Sequence, residues 1–122
     1  MLLRNGEGFL SKASIDMLLA PVWTYDGGNG LTGEATPGTL CRYGLATQTL
    51  ATRHEGCRED LFGDGVPRVG HAGNAYGLRS GLWIDREKGT GVAYFVTGVP
   101  DDAALGKDTN FTQAEVEIAR VH

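Results

Sequence analysis

The feature that most constrains the fold is a series of three strand-like segments between residues 66 and 99. Residues 66–73, 78–85 and 91–99 are rich in apolar and β-branched side chains, and turn-forming residues separate them. Residues 85–89 form a charged turn between the second and third segments. Such a short connection joins antiparallel strands, so the pattern predicts a hairpin between these two segments. In the third segment both alternating sets of side chains are apolar, which predicts a strand covered on both faces.

Helices are expected at both ends of the chain. Ser11 can cap a helix over residues 11–20, in which apolar residues recur at helical spacing until Pro21 ends it. Near the C-terminus, Thr112 and Glu115 match a capping box, and the apolar residues that follow can lie against a sheet.

Between these regions the sequence predicts one long loop and one more strand. Residues 23–38 are rich in Gly, Thr, Asn and Pro, as is typical of a loop, and residues 39–52 alternate as a strand does. The predicted fold class is therefore α+β: an antiparallel sheet of about four strands flanked by an N-terminal and a C-terminal helix. A chain of 122 residues fits a single domain, 1–122.

Charge and hydropathy exclude two classes of partner. The formal net charge is −4 and the 11 basic residues are scattered, so no nucleic-acid partner is expected. No apolar stretch approaches the length of a membrane span, so no membrane partner is expected either. The N-terminus lacks the basic and apolar pattern of a signal peptide, which predicts a cytoplasmic protein as written, or a periplasmic or secreted one if the chain belongs to a longer precursor.

The two cysteines, Cys41 and Cys57, leave three alternatives open. Free thiols are usual in the cytosol, whereas a disulfide needs an oxidising compartment, and neighbours in a hairpin can meet its geometry. A zinc site formed with His54 and His71 is the third alternative, although the spacing matches no standard zinc knuckle.

No cofactor is expected. Residues 28–33 match G-x-G-x-x-G in spacing, but no apolar strand precedes them and no helix follows, so they predict a flexible loop rather than a dinucleotide site.

The segment around His71 resembles the third active-site motif of the serine β-lactamase-like hydrolases. These are class C β-lactamases, D-alanyl-D-alanine carboxypeptidases and related esterases, in which His-x-Gly often replaces Lys-Thr-Gly. The resemblance covers about thirty residues: Gly-His-x-Gly at 70–73, Gly-Leu-x-Ser-Gly-Leu-Trp at 77–83, the hairpin at 84–89 and the apolar strand that follows. It implies that the chain corresponds to the C-terminal third of the family fold.

The resemblance also implies roles for three residues. His71 would lend positive or hydrogen-bonding character to the substrate carboxylate or leaving group, and Gly73 would let the substrate approach the backbone. The backbone N–H of Asn74 would be one of two oxyanion donors. The other two family motifs are missing, because no Ser-x-x-Lys and no Tyr-x-Asn or Ser-x-Asn occurs, and Ser80 has no evident basic partner.

The expected function is that of a C-terminal fragment or truncated homologue of such a hydrolase, inactive alone. The expected partner is a missing N-terminal portion or, because the strand at 91–99 is apolar on both faces, a second copy in a homodimer. A free-standing oligomeric binding or assembly module of unknown ligand is the alternative. A third hypothesis is a self-sufficient enzyme that uses His71 with Cys41 or Cys57, but nothing in the sequence indicates that such a pair lies close together.

Overall fold

The computed structural model describes residues 1–121, which form one antiparallel sheet and two short helices. The six strands pair in sequence order. They are β1 (Trp23–Thr24), β2 (Arg42–Tyr43), β3 (Gln48–Thr49), β4 (Val69–Ala75), β5 (Leu78–Asp85) and β6 (Thr90–Val96). A 3₁₀ turn (Leu2–Arg4) and helix α1 (Lys12–Leu19) precede the sheet, and helix α2 (Gln113–Arg120) follows it.

Strands β4, β5 and β6 form a β-meander, in which the predicted hairpin joins β5 to β6. The β4–β5 turn consists of Tyr76 and Gly77, whose φ angles of 52° and 78° suit the tight two-residue hairpin turn that matches strand twist. In register, His71 lies opposite Leu82, which lies opposite Ala93 on the third strand. The sequence pattern thus predicted the central part of the sheet correctly.

The prediction of an α+β fold with about four strands is wrong. The sheet has six strands, and the two helices have only 8 residues each. The expected single strand over residues 39–52 is divided by a turn at residues 44–47, closed by the Gly44 N–H donating to the Thr47 carbonyl over 2.9 Å. The sixth strand arises because Trp23 and Thr24, at the start of the predicted loop, pair with β2.

Both helix predictions are confirmed in position and in capping. The Ser11 hydroxyl accepts a hydrogen bond from the Ser14 N–H, and α1 follows directly. At α2, the Thr112 side chain accepts from the Glu115 N–H while the Glu115 carboxylate accepts from the Thr112 N–H, which is the complete capping box.

The sheet separates two apolar layers. On one face, which we call the α2 face, Trp83 and Tyr94 pack with Leu61, Phe111 and α2. On the other, the α1 face, a smaller cluster joins α1 to the sheet through four buried residues: Ile15, Leu19, Val69 and Ile84. Successive strand residues point to opposite faces, which places His71 on the α1 face.

Within residues 1–121, β6 is covered on one face only. Tyr94 is buried on the α2 face, but Phe95 on the opposite face is 74% exposed. Its neighbour Leu82 on β5 is 49% exposed. Helix α1 covers only the end of this face near Val69 and Ile84, and the half that carries His71 stays open.

The cysteines form a disulfide. Cys41 and Cys57 are bonded with their Cα atoms 6.1 Å apart, which resolves the alternatives left open by the sequence. Across residues 1–121, no helix combines the length and the apolar character that crossing a bilayer requires.

Candidate functional site

His71 lies where one edge of β4 loses its neighbouring strand. Strand β3 pairs with Val69 and Gly70 only, whereas β5 pairs with all seven residues of β4. Among residues 1–121, no strand therefore pairs with the other edge of β4 from His71 to Ala75. An exposed strand edge offers unpaired backbone groups to any extended ligand.

Both imidazole nitrogens of His71 have partners. Nδ1 lies 2.6 Å from the carbonyl oxygen of Ala72, which can only accept, so Nδ1 carries a proton. In the neutral ring Nε2 is then an acceptor, and the Tyr43 hydroxyl donates to it over 3.0 Å. The two rings also meet edge to face, with centroids 5.7 Å apart. Tyr43 thus fixes the orientation of an otherwise exposed histidine.

Gly73 faces Ser80 across the β4–β5 ladder. A Cβ atom at position 73 would overlap the Ser80 hydroxyl, so a side chain there would require that hydroxyl to rotate away. Ser80 shares the α1 face with His71, but no hydrogen bond to a basic group is found for it within residues 1–121. Its partly buried position opposite Gly73 suits a small residue that packs within the sheet.

The direction of the Asn74 N–H follows from the register of the hairpin. Ala75 and Leu78 close the two-residue turn and exchange hydrogen bonds, and such pairs alternate along an antiparallel ladder. Gly73 and His71 therefore bond to β5, while the backbone groups of Asn74 and Ala72 point to the open edge of β4. This is the direction that an oxyanion donor needs.

A cleft of about 470 Å³ adjoins this edge. Its walls include Ala72, Gly73 and Asn74 of β4, Arg79 of β5, and the loop around Glu34. Four carboxylates also line the cleft, from Glu34, Asp101, Asp102 and Glu115, so its lining within residues 1–121 is acidic on balance. The cleft is therefore polar, and it lies on the α2 face rather than beside the His71 ring.

The four-residue zinc site weighed from the sequence does not form. His71 is bonded to Tyr43, and His54 Nδ1 accepts from the Gly56 N–H over 3.0 Å while its ring packs on Tyr25. Glu59 does lie beside the cysteines. One of its carboxylate oxygens and the two cysteine sulfurs are all within 4.8 Å of one another. Burial raises the pKa of the Glu59 carboxyl.

The structure therefore places His71, Gly73 and Asn74 along one strand, with Ser80 opposite Gly73. The residue that sequence reasoning missed is Tyr43, which had been placed on a strand only as part of its alternating pattern. No local signal could have found it, because 28 residues separate it from His71 and only the β2–β3–β4 pairing brings them together.

Comparisons of the chain with protein-family models, with curated proteins and with solved structures found no match.

Proposed function

We propose that this chain is the C-terminal part, or a truncated homologue, of a serine β-lactamase-like hydrolase and is inactive alone. The observation that carries the proposal is the open edge of β4, where the backbone N–H groups of Ala72 and Asn74 point outward beside a cleft. The His71 side chain lies on the same strand but on the opposite face of the sheet. In this reading the edge is one wall of an active site whose nucleophile belongs to another segment.

The proposed reaction is acyl transfer from an ester or amide to a serine, followed by hydrolysis. The Asn74 N–H would stabilise the negative charge that develops on the carbonyl oxygen. His71, oriented by Tyr43, would contact the substrate through Nε2. With a proton on Nε2 it would donate to the substrate carboxylate, and without one it could only accept from a donor on the leaving group.

The open half of the α1 face supports the same proposal. Phe95 and Leu82 leave apolar surface uncovered beside His71, as expected where a further part of the protein packs. The Cys41–Cys57 disulfide favours the periplasmic or secreted location of a longer precursor over the cytoplasm.

The first test is hydrolysis of nitrocefin and of short-chain p-nitrophenyl esters by the purified chain. Background rates are expected, because no activated serine is present. A stoichiometric burst that disappears in Ser80→Ala would contradict the proposal and assign the nucleophile to Ser80.

The second test adds an N-terminal segment from a β-lactamase-like hydrolase that carries Ser-x-x-Lys and Tyr-x-Asn. Turnover should appear, and His71→Ala should lower it about tenfold or more, while the control His54→Ala leaves it unchanged. Turnover that is indifferent to His71, or none with any segment, would favour the alternative of a free-standing assembly module.

A further inference from the structure

The buried carboxylate of Glu59 is not explained by the disulfide beside it. Glu59 is 2% exposed, and its Oε1 atom accepts a hydrogen bond from the Thr52 N–H over 3.0 Å. Its Oε2 atom is buried and has no hydrogen-bond partner among residues 1–121. A buried polar atom without a partner is destabilising, and its retention calls for a function.

The two sulfurs and the Glu59 carboxylate form a compact group of three potential ligands. A carboxylate oxygen, Cys41 Sγ and Cys57 Sγ all lie within 4.8 Å of one another. Tetrahedral zinc with bonds of about 2.3 Å to sulfur separates two thiolates by roughly 3.8 Å, so reduced cysteines need only a small movement apart. The Cα–Cα distance of 6.1 Å allows it.

We propose that reduction of the Cys41–Cys57 disulfide creates a zinc site, with the two thiolates and the Glu59 carboxylate as protein ligands. A water molecule completes the fourth position from the side of Cys57, which is partly exposed whereas Cys41 is fully buried. Thiolate and carboxylate ligands together suit the borderline-soft Zn²⁺ better than Mg²⁺ or Ca²⁺.

The charges in this site balance. Two thiolates and one carboxylate bring three negative charges to the two positive charges of Zn²⁺. The guanidinium of Arg42 lies close enough to act on the Glu59 carboxylate, and it is held in place by the Leu50 carbonyl at 2.9 Å. The buried cluster is therefore neutral as a whole, as a low-dielectric interior favours.

The conversion requires a reductant and releases protons. The reductant supplies two electrons and two protons, and the S–S bond breaks to give two thiols. A dithiol can supply them, and in the experiment a trialkylphosphine does so with water and becomes its oxide. Zn²⁺ then displaces both thiol protons, which pass to the buffer. Every chain is synthesised with reduced cysteines, so the zinc form would precede the disulfide.

The experiment titrates the full chain with Zn²⁺ alone, in competition with a chromophoric chelator, before and after phosphine reduction. We expect one zinc per reduced chain and none per oxidised chain. Co²⁺ in place of Zn²⁺ should give the near-ultraviolet sulfur-to-cobalt charge-transfer band in the reduced protein only. No stoichiometric binding by the reduced chain would overturn the proposal.

Two variants with the same change in charge test the role of Glu59. Glu59→Gln should raise the Kd for Zn²⁺ by about tenfold or more, whereas Glu55→Gln, at an exposed position in the same loop, should leave it unchanged. Equal Kd values for Glu59→Gln and the unmodified chain would overturn the three-ligand site. If Glu59→Gln fails to fold, the rate of cysteine alkylation in the unmodified reduced chain tests the site instead. Zn²⁺ should slow the alkylation of both thiols, and an unchanged rate would overturn the proposal.

Discussion

At the scale of single residues, the Glu115 carboxylate joins the sheet to α2. Oε1 accepts from the Tyr94 hydroxyl over 3.1 Å, and Oε2 accepts from the backbone N–H and the hydroxyl of Thr112 over 2.9 Å and 2.8 Å. All three residues are buried, and burial together with the Glu115 carboxylate raises the pKa of the Tyr94 hydroxyl. Tyr94 therefore stays a donor throughout the ordinary pH range.

Removal of the Tyr94 hydroxyl should destabilise the fold. We expect Tyr94→Phe to lower the free energy of unfolding by about 1–3 kcal/mol, since Glu115 Oε1 loses its donor in a buried position. Urea denaturation followed by circular dichroism measures this free energy of unfolding. The matched control is Tyr76→Phe, at a fully exposed turn position, with an expected change below about 0.5 kcal/mol. Equal stability of both variants would show that the Tyr94 hydroxyl contributes nothing.

The ion pair between Asp64 and Arg68 should make stability depend on acidity. Two hydrogen bonds of 2.9 Å from the Arg68 guanidinium lower the pKa of Asp64 from 3.8 to about 2. A carboxyl whose pKa is lower in the folded state stabilises the fold above its unfolded pKa and loses that effect as pH falls through the folded value. The contribution is therefore complete above pH 3.8 and is lost towards about pH 2.

Thermal unfolding midpoints across this acid range test the ion pair. We expect the unfolding midpoint of the unmodified chain to fall more steeply with decreasing pH than that of Asp64→Asn. The control, Asp102→Asn, changes an exposed carboxylate that has no ion-pair partner among residues 1–121, and it should keep the steep profile. Parallel profiles for the unmodified chain and Asp64→Asn would contradict the assignment.

The resemblance predicts His71, Gly73 and Asn74 as site residues, and their roles stay predictions. Tyr43 could not be found, since its contact with His71 depends on the register of β2 on β3 and of β3 on β4. Neither register can be predicted from one strand alone. Glu59 was missed because a single acidic residue in a charged loop predicts exposure, whereas the disulfide and Thr52 draw it into the interior.

At the scale of elements, one turn decides how many strands the sheet has. Ala46 in the β2–β3 turn adopts φ 63°, a left-handed conformation that disfavours side chains with a Cβ atom. Glycine, Asn or Asp at this position would have predicted a hairpin, but alanine within an alternating apolar pattern predicts a continuous strand. The predicted strand over 39–52 was wrong for this reason.

Substitution of this alanine by glycine should stabilise the chain. Ala46→Gly removes the strain of the left-handed conformation, which costs alanine about 1–2 kcal/mol. Glycine also gives the unfolded chain more entropy, which offsets about 0.5–1 kcal/mol of this gain. We expect a small rise in the urea midpoint. Ala35→Gly, at an exposed position without a left-handed φ angle, should lower it. A lower midpoint for Ala46→Gly would mean that the turn carries no strain.

The strands whose bounds were predicted best are those with strong local signals at both ends. Strand β5 occupies residues 78–85 as expected, because Gly77 and the charged turn after Asp85 delimit it. What covers the second face of β6 cannot be predicted from the strand itself, since an apolar residue such as Phe95 indicates a preference for burial but not which element supplies it.

At the scale of the whole molecule, the isolated chain should self-associate. Phe95 and Leu82 leave apolar surface open, and the outer edge of β6 has no strand partner among residues 1–121. Strand β6 contains neither charge nor proline that would discourage edge pairing. A two-fold arrangement would place this same surface on both sides of the contact, and light scattering should give a mass near twice 13.0 kDa.

A matched pair of phenylalanine substitutions tests this association. Phe95→Asp should yield a monomer, because a charge would enter the contact. Phe9→Asp, at a position 80% exposed in the N-terminal segment, should leave the mass unchanged. A monomeric unmodified chain with a cooperative thermal transition would show that residues 1–121 close their own core.

The separation of the two apolar layers by the sheet has a consequence for local opening. Helix α1 is held through a cluster of four buried residues, whereas α2 shares a cluster of six that includes Trp83. The α1 layer can therefore detach while β5 and α2 remain native. Amide hydrogens of α1 should exchange with deuterium by this partial opening, and those of β5 only when the whole chain unfolds.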